Sequence, residues 1–233
     1  MLLSPQQLAS HPDLLDLSIR IGGDIVHTCD SARNLGVIFD SRMDMHSHIS
    51  RLAQLSFIQL RNIRAIKNVL SLPALEKIIH AFISSRIDYG NSLLYGLPEY
   101  AIKRVQRIQN AAARLLSGTG KYDPITPVLK SLHWLPVRQR INFKVLLLTY
   151  KSLNDLAPSY LKDTLEVRNH GRSMRTQNSL YLPRTSTKTY GDRAFSIAAP
   201  KLWNGLPADI RSKPSINAFK KSLKTHLFKT AFQ

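Results

Sequence analysis

The 233-residue sequence contains one cysteine, Cys29, and no two adjacent acidic residues. A lone cysteine excludes an intrachain disulfide and any cysteine-based zinc site, and it fits a reducing compartment. The lack of adjacent carboxylates removes the aromatic-x-Asp-Asp arrangement of a polymerase palm. Two-metal nucleotidyl transfer needs such a pair, because its ions sit about 4 Å apart and share oxygen ligands. No glycine-rich phosphate loop and no nucleophile elbow occurs. No apolar run approaches the roughly 20 residues needed to cross a bilayer. The opening MLLSPQQLASHPDLLD lacks the basic region and long apolar core of a secretory signal. Of the histidines, His46, His48, His133 and His226 are the ones to weigh as metal ligands. His46 and His48 are two apart on an expected helix, hence about 200° apart in direction, and unsuited to sharing an ion. The expectation is therefore a chain that is not an enzyme by itself. It needs no cofactor or metal, has no membrane association, and resides in the nucleus or cytoplasm.

Acidic residues are also scarce: 15 against 33 Lys and Arg, a net charge of +18. Such an excess favours a polyanionic partner, the phosphate backbone of RNA or DNA. Residues 1–117 carry 13 basic and 9 acidic residues (+4), leaving 20 and 6 (+14) for residues 118–233. That block asymmetry strengthens the nucleic-acid reading. The hydrophobic fraction of 43% is ordinary, so a packed core is expected.

Along the chain, Ser4-Pro5-Gln6-Gln7 reads as a capping box opening a short helix to about Ser10. LSIRI and DIVHT alternate around Gly22-Gly23-Asp24, a hairpin signal, and NLGVIFD reads as a third strand. From Asp44, a plausible N-cap, the apolar residues fall at helical spacing to about Leu70, with no acidic residue between Met45 and Leu75. A second helix is predicted from Ser71-Leu72-Pro73 to about Tyr89, and a third from Pro98 to about Ser117. On that third helix Ala101, Ile102, Val105, Ile108, Ala112, Leu115 and Leu116 share a face. Lys103, Arg104, Arg107 and Arg114 gather opposite, with no acid after Glu99. A solvated face normally mixes signs, and a single-sign stripe suits phosphate contact.

Gly118 to Pro127 reads as a linker. A strongly apolar helix follows Pro136, with Leu146, Leu147, Leu148 and Tyr150 as core, and a short helix begins at Pro158. Residues 167–193 hold Arg168, Arg172, Arg175, Arg184, Lys188 and Arg193 against Asp192 alone. Tyr181 and Tyr190 interleave with these cations, a pairing that favours single strands through stacking. In the tail, SINAFKKSLKTHLF turns Ile216, Phe219, Leu223 and Leu227 inward. Trp134 and Trp203, each beside Leu and Pro, read as packing residues rather than an exposed protein-binding patch.

Several stretches carry a family resemblance. NLGVIFDSRMDMHSHIS, with Leu35, Gly36, Val37 and Asp40, resembles the segment just after the palm in LINE-type (non-LTR) retrotransposon reverse transcriptases, the jockey-like group in particular. IIHAFISSRIDYGNSLLYGLP, with Arg86, Asp88, Tyr89 and Gly90, and IQNAAARLL, with Gln109, Asn110, Ala111, Ala112 and Arg114, resemble the next two signatures. LHWLPVRQRINFKVLLLTYKSLN, GDRAFSIAAPKLWNGLPADIR and SINAFKKSLKTHLF are similar to the family's C-terminal region. The resemblance runs from about Leu17 onward and implies an RNA-directed DNA polymerase. The endonuclease, fingers and catalytic palm would lie upstream of Met1, so no catalytic residue carries over.

The fold expected is mainly α: an end-of-palm β segment over 1–43, a helical thumb-like region over 44–117 and a basic, mostly helical region over 118–233. The function expected is to hold template RNA or a primer–template backbone, beside the missing catalytic part. Its phosphate contacts would be Lys103, Arg104, Arg107, Arg114, Arg168, Arg172, Arg175, Arg184 and Lys188. The competing readings are a non-functional remnant of a decayed element and an adopted protein-interaction module.

Overall fold

The computed structural model describes residues 18–168, 179–185, 187 and 190–233; the helix expected at Ser4–Ser10 lies outside them. The fold is mainly α, with two small antiparallel hairpins at the N-terminal end. Strands β1 (Ile19–Ile21) and β2 (Asp24–Val26) pair with Ile19 opposite Val26. They turn at Gly22-Gly23, where Gly22 takes a φ of 65°.

The single strand expected across Asn34–Asp40 is instead a second hairpin, β3 (Ser31–Asn34) against β4 (Val37–Asp40). The reason is local. Leu35 and Gly36 both adopt positive φ, 46° and 85°, and two such residues make a primed turn with the twist that flanking strands need. Leucine is a costly residue there, and its side chain is left in solvent.

Helix α1 (His46–Ile66) continues as a 3₁₀ turn over Lys67–Val69. Its N-cap position is Met45 at φ 60°, not Asp44. The Asp44 carboxylate still accepts from the backbone N–H of His46 at 2.8 Å, one residue outside its expected place. Helix α2 (Leu72–Ile79), a π-helical segment (His80–Ser84) and α3 (Ser85–Asp88) form one continuous rod. An α-helix drifts by about 40° at each fourth residue. The wider π turn cancels that drift, so Ile79, Ile83 and Ile87, spaced by four, are all buried in the core.

Helix α4 (Glu99–Ser117) ends at Gly118, whose φ of 75° forms the left-handed cap. The stretch read as a linker ends in a short helix that runs past it, α5 (Thr126–Ser131), with Pro127 in its first turn. Helix α6 (Val137–Leu153) follows, then α7 (Ser159–Lys162), α8 (Phe195–Asn204), α9 (Ala208–Arg211) and α10 (Ile216–Phe232).

Two hydrophobic clusters meet on α6. Its first turns give Val137 and Ile141 to a core made by β4, α1, α2–α3, α4 and α5. Its later turns give Val145, Leu146 and Tyr150 to a second core with α8, α9 and α10. Leu147 and Leu148 are only partly buried. In the second core Phe219 stacks on Tyr150, with ring centroids 4.3 Å apart, and lies 5.8 Å from Trp203. Trp134 and Trp203 are both buried packing residues.

Polar side chains join the halves. Gln106 Oε1 accepts from the N–H of Val137 at 2.8 Å, capping the start of α6. Buried Gln109 donates to the Leu135 carbonyl at 2.9 Å, and Arg140 donates to that carbonyl and to Asp88.

Candidate nucleic-acid interface

Helices α1 and α4 pack against each other. On α4 all seven residues of the apolar face named from the wheel are buried. On α1 the buried positions are Ile49, Leu52, Ser56, Leu60 and Ile63. Both helices therefore turn the remaining sides to solvent as a common surface. The junction is marked by Arg104, which reaches from α4 to α1. It donates to Ser50 Oγ at 3.0 Å, with His46 Nδ1 at 3.5 Å.

That contact orients both wheels. On α4, Arg104, Arg107 and Ala111 share one flank at i, i+3, i+7, so the flank bearing Arg107 is the one turned toward α1. On α1, Ser50, Phe57, Arg61 and Arg64 form the answering flank at i, i+7, i+11, i+14. Lys103 lies one turn before Arg107. Lys103, Arg107, Arg51, Arg61 and Arg64 are all exposed. Phe57 and Ile58 are exposed among them.

Counter-charge is nearly absent. Glu99 is the sole acidic residue on either helix, and it is ion-paired with Arg138 at the N-terminal end of α4. None of the exposed cations of the α1–α4 surface makes an ion pair among the described residues. Arg51 alone has a side-chain partner, Gln54 Oε1 at 2.9 Å.

The nine cations singled out from sequence fall into three groups. Lys103 and Arg107 stand free on α4, and Arg168 and Arg184 are exposed near the bridge that pairs Val167 with Leu180. Arg104 and Arg114 are half-buried and partly engaged. Arg114 donates from Nε to the Gly120 carbonyl at 2.9 Å and from Nη2 to the Asp123 carbonyl at 2.8 Å, fastening the loop after α4. Arg172, Arg175 and Lys188 lie outside the described residues. Of the tyrosines expected to stack, Tyr181 is exposed. Tyr190 donates to the Arg42 carbonyl at 3.0 Å.

The sequence marks Arg51, Arg61, Arg64 and Lys67 as the uncompensated charges of the first helix, but it does not join them to the cations of α4 in one surface. The signal for it is the acid-free run from Met45 to Leu75, which on its own assigns no face.

No group of three or more His, Cys, Asp or Glu side chains suited to a metal ion occurs among the described residues. His48 instead accepts from the Ile38 N–H at 3.5 Å, and burial holds its pKa below the ordinary value. Asp40 accepts from the N–H of Asp44 at 2.8 Å and tightens the turn into α1. Burial foremost, then the neighbouring Asp44, raises its pKa. No described helix is long and apolar enough to cross a membrane. No family model, curated protein or solved structure matches the chain.

Proposed function

We propose that this chain is a nucleic-acid-binding part of a LINE-type reverse transcriptase, placed after the catalytic palm and making no catalytic contribution of its own. The observation that carries the reading is the acid-free surface shared by α1 and α4. A charged face serving only solubility carries both signs, whereas this one presents Arg51, Arg61, Arg64, Lys103 and Arg107 with no exposed carboxylate between them. Cations so placed position a phosphate backbone without reading bases. Phe57 and Ile58 add apolar contact of the kind sugars and unstacked bases accept. The ordered signatures from Leu35 to Leu227 support the family assignment. The natural ligand on this reading is a primer–template or its template RNA.

The test is fluorescence-anisotropy binding to an RNA–DNA primer–template, a single strand and a plain duplex across a salt series. Lys103→Ala/Arg107→Ala is the variant to use, because both side chains are exposed and neither holds the fold. Wild type should prefer the primer–template, with a log–log salt slope of about −0.9 per phosphate contacted on duplex DNA. The double variant should flatten that slope by about two. Equal, weak binding to all three ligands, unchanged in the variant, would overturn the reading and favour a decayed remnant.

A further inference from the structure

One cavity, about 450 Å³ between α2–α3 and α6, sets Glu76 and Asp88 against Arg140, Lys144 and Lys224. A second cavity, about 360 Å³ at the junction of the end of α6, the turn after α9 and the Val167–Leu180 bridge, has no acidic residue among the described residues of its wall. Arg211, Lys213, Asn154 and Ser212 form its polar side, and Trp203 and Leu180 belong to its apolar side.

Arg211 is the anomaly. It is 9% exposed, and its Nε and Nη1 are sealed from solvent with no hydrogen-bond partner. No carboxylate is ion-paired with it among the described residues. Residues 169–178, between the two bridge strands, contain no Asp or Glu and so supply no counter-charge.

Arginine cannot relieve this situation by losing its proton. A buried charge without a partner is among the costliest features a fold can carry. Lys213, alongside in the same wall, adds to the positive potential instead of offsetting it. The fold holds Arg211 in place regardless, because its neighbour Ile210 is packed into the second core and its backbone N–H is bonded to the Pro207 carbonyl at 3.2 Å. What completes such a site is an oxyanion. A phosphate fits best: Nη2, the guanidinium nitrogen that is not sealed, and the Lys213 ammonium meet its oxygens, and a rotation of the planar fork brings a sealed nitrogen to a second oxygen. The volume exceeds that of a phosphate alone, and the apolar side accommodates a substituent on it.

We propose that this cavity is a binding site for a phosphate group, anchored by Arg211 with Lys213 beside it. The site is separate from the α1–α4 surface and does not depend on its function. Free inorganic phosphate and the terminal phosphate of a nucleic-acid strand are the two sources of that chemistry.

Thermal unfolding of the full chain separates the outcomes. Wild type, Arg211→Met, Arg211→Lys and Lys103→Ala/Arg107→Ala would be melted in chloride and in inorganic phosphate at matched ionic strength. Each would also be melted with one short oligonucleotide bearing or lacking a 5′-phosphate. Saturating phosphate should raise the wild-type midpoint by about 4 °C over chloride. Arg211→Met should melt higher than wild type in chloride, since a buried unpaired charge is gone, and should lose the phosphate response. Arg211→Lys should keep part of that response, and the α4 double variant, whatever phosphate it loses at its own surface, should keep the part that Arg211→Met abolishes. A gain with inorganic phosphate identifies the free ion. An Arg211-dependent gain seen only with the 5′-phosphorylated oligonucleotide identifies a strand end. If neither ligand shifts wild type more than Arg211→Met, or if Arg211→Met is the less stable protein in chloride, there is no phosphate site here.

Discussion

Removing the Arg193 guanidinium should loosen the attachment of the C-terminal half to the N-terminal half. Arg193 lies in the 3₁₀ turn Gly191–Arg193 just before α8. It donates from Nη1 to the Met43 carbonyl at 2.6 Å and from Nε to the Tyr95 carbonyl at 3.3 Å, with the Leu93 carbonyl at 3.5 Å from Nη2. Hydrogen bonds to a charged donor contribute about 1.5–3 kcal/mol each. Only the shortest of these three earns the full figure, because the group is half-buried and water can replace part of the rest. The loss in Arg193→Ala should be about 3 kcal/mol, and a chain of this size loses about 2–4 °C per kcal/mol. The midpoint in a circular-dichroism melt should therefore fall by roughly 6–12 °C. Lysine should recover under half of it, because one ammonium cannot fork to three carbonyls. Gly96 supplies a cross-check. A Cβ there would lie 2.6 Å from Arg193 Cγ, on a backbone at φ 71°. Gly96→Ala should thus be costly in wild type, but in an Arg193→Ala background should retain only the penalty of the left-handed backbone, about 1–2 kcal/mol. Additive losses, or an Arg193→Ala protein within about 0.5 kcal/mol of wild type, would refute the latch.

Three further outcomes follow from the same interior. His48 is held neutral by burial, so its folded pKa lies below the unfolded value near 6.5. As pH falls through 6.5 the unfolded chain takes up the proton first, and stability declines. Urea titrations at pH 7.5 and 5.5 should show that decline in wild type and a smaller one in His48→Gln; equal slopes would remove His48 from the account. Gln106→Leu leaves the Val137 N–H without its cap and should lower stability by about 1–2 kcal/mol, with Gln106→Glu recovering part in a denaturant melt; a neutral Leu variant counts against the cap. Phe219→Ala empties the ring position between Tyr150 and Trp203 and should cost about 3–5 kcal/mol, with a matching blue-shift or quench change in Trp fluorescence; a loss under about 1 kcal/mol would mean the second core repacks freely.

Helical periodicity made most of the bundle legible. The apolar stripe of α4 required one face, Gly118 ended it, and Pro136 opened α6, all local signals that tertiary packing reinforced. Where the sequence misled, a single residue was in an uncharacteristic role. Leu35 sits at positive φ in a turn that normally favours Asn or Gly, so two short strands read as one. Met45 takes the N-cap position beside Asp44 for a similar reason. Helix α8 was not foreseen, since Pro200 lies within it and removes one helical donor. Its buried Ile197, Ala198, Ala199 and Trp203 supply the packing that offsets that loss.

The basic site was legible in outline but not residue by residue, because a charge count does not show whether a guanidinium is available. Arginine's fork suits backbone carbonyls as well as phosphates. Arg114 and Arg193 spend theirs on carbonyls, and Arg140 divides its own between a carbonyl and Asp88. Lys103 and Arg107, one turn apart on α4, do not. The wheel groups Arg114 with them because it records direction alone, and the neighbouring loop that captures Arg114 comes from residues 118–123. Arg211 is the converse case: in PADIR it reads as an ordinary surface cation beside Asp209. Two residues along a helix place those side chains about 200° apart, so Asp209 points away while Ile210 draws the backbone inward. An arginine next in sequence to a core residue and opposite the acid nearest it in the chain is the pattern that leaves a charge buried with no ion pair among the described residues, and that is the basis of the anion proposed for Arg211.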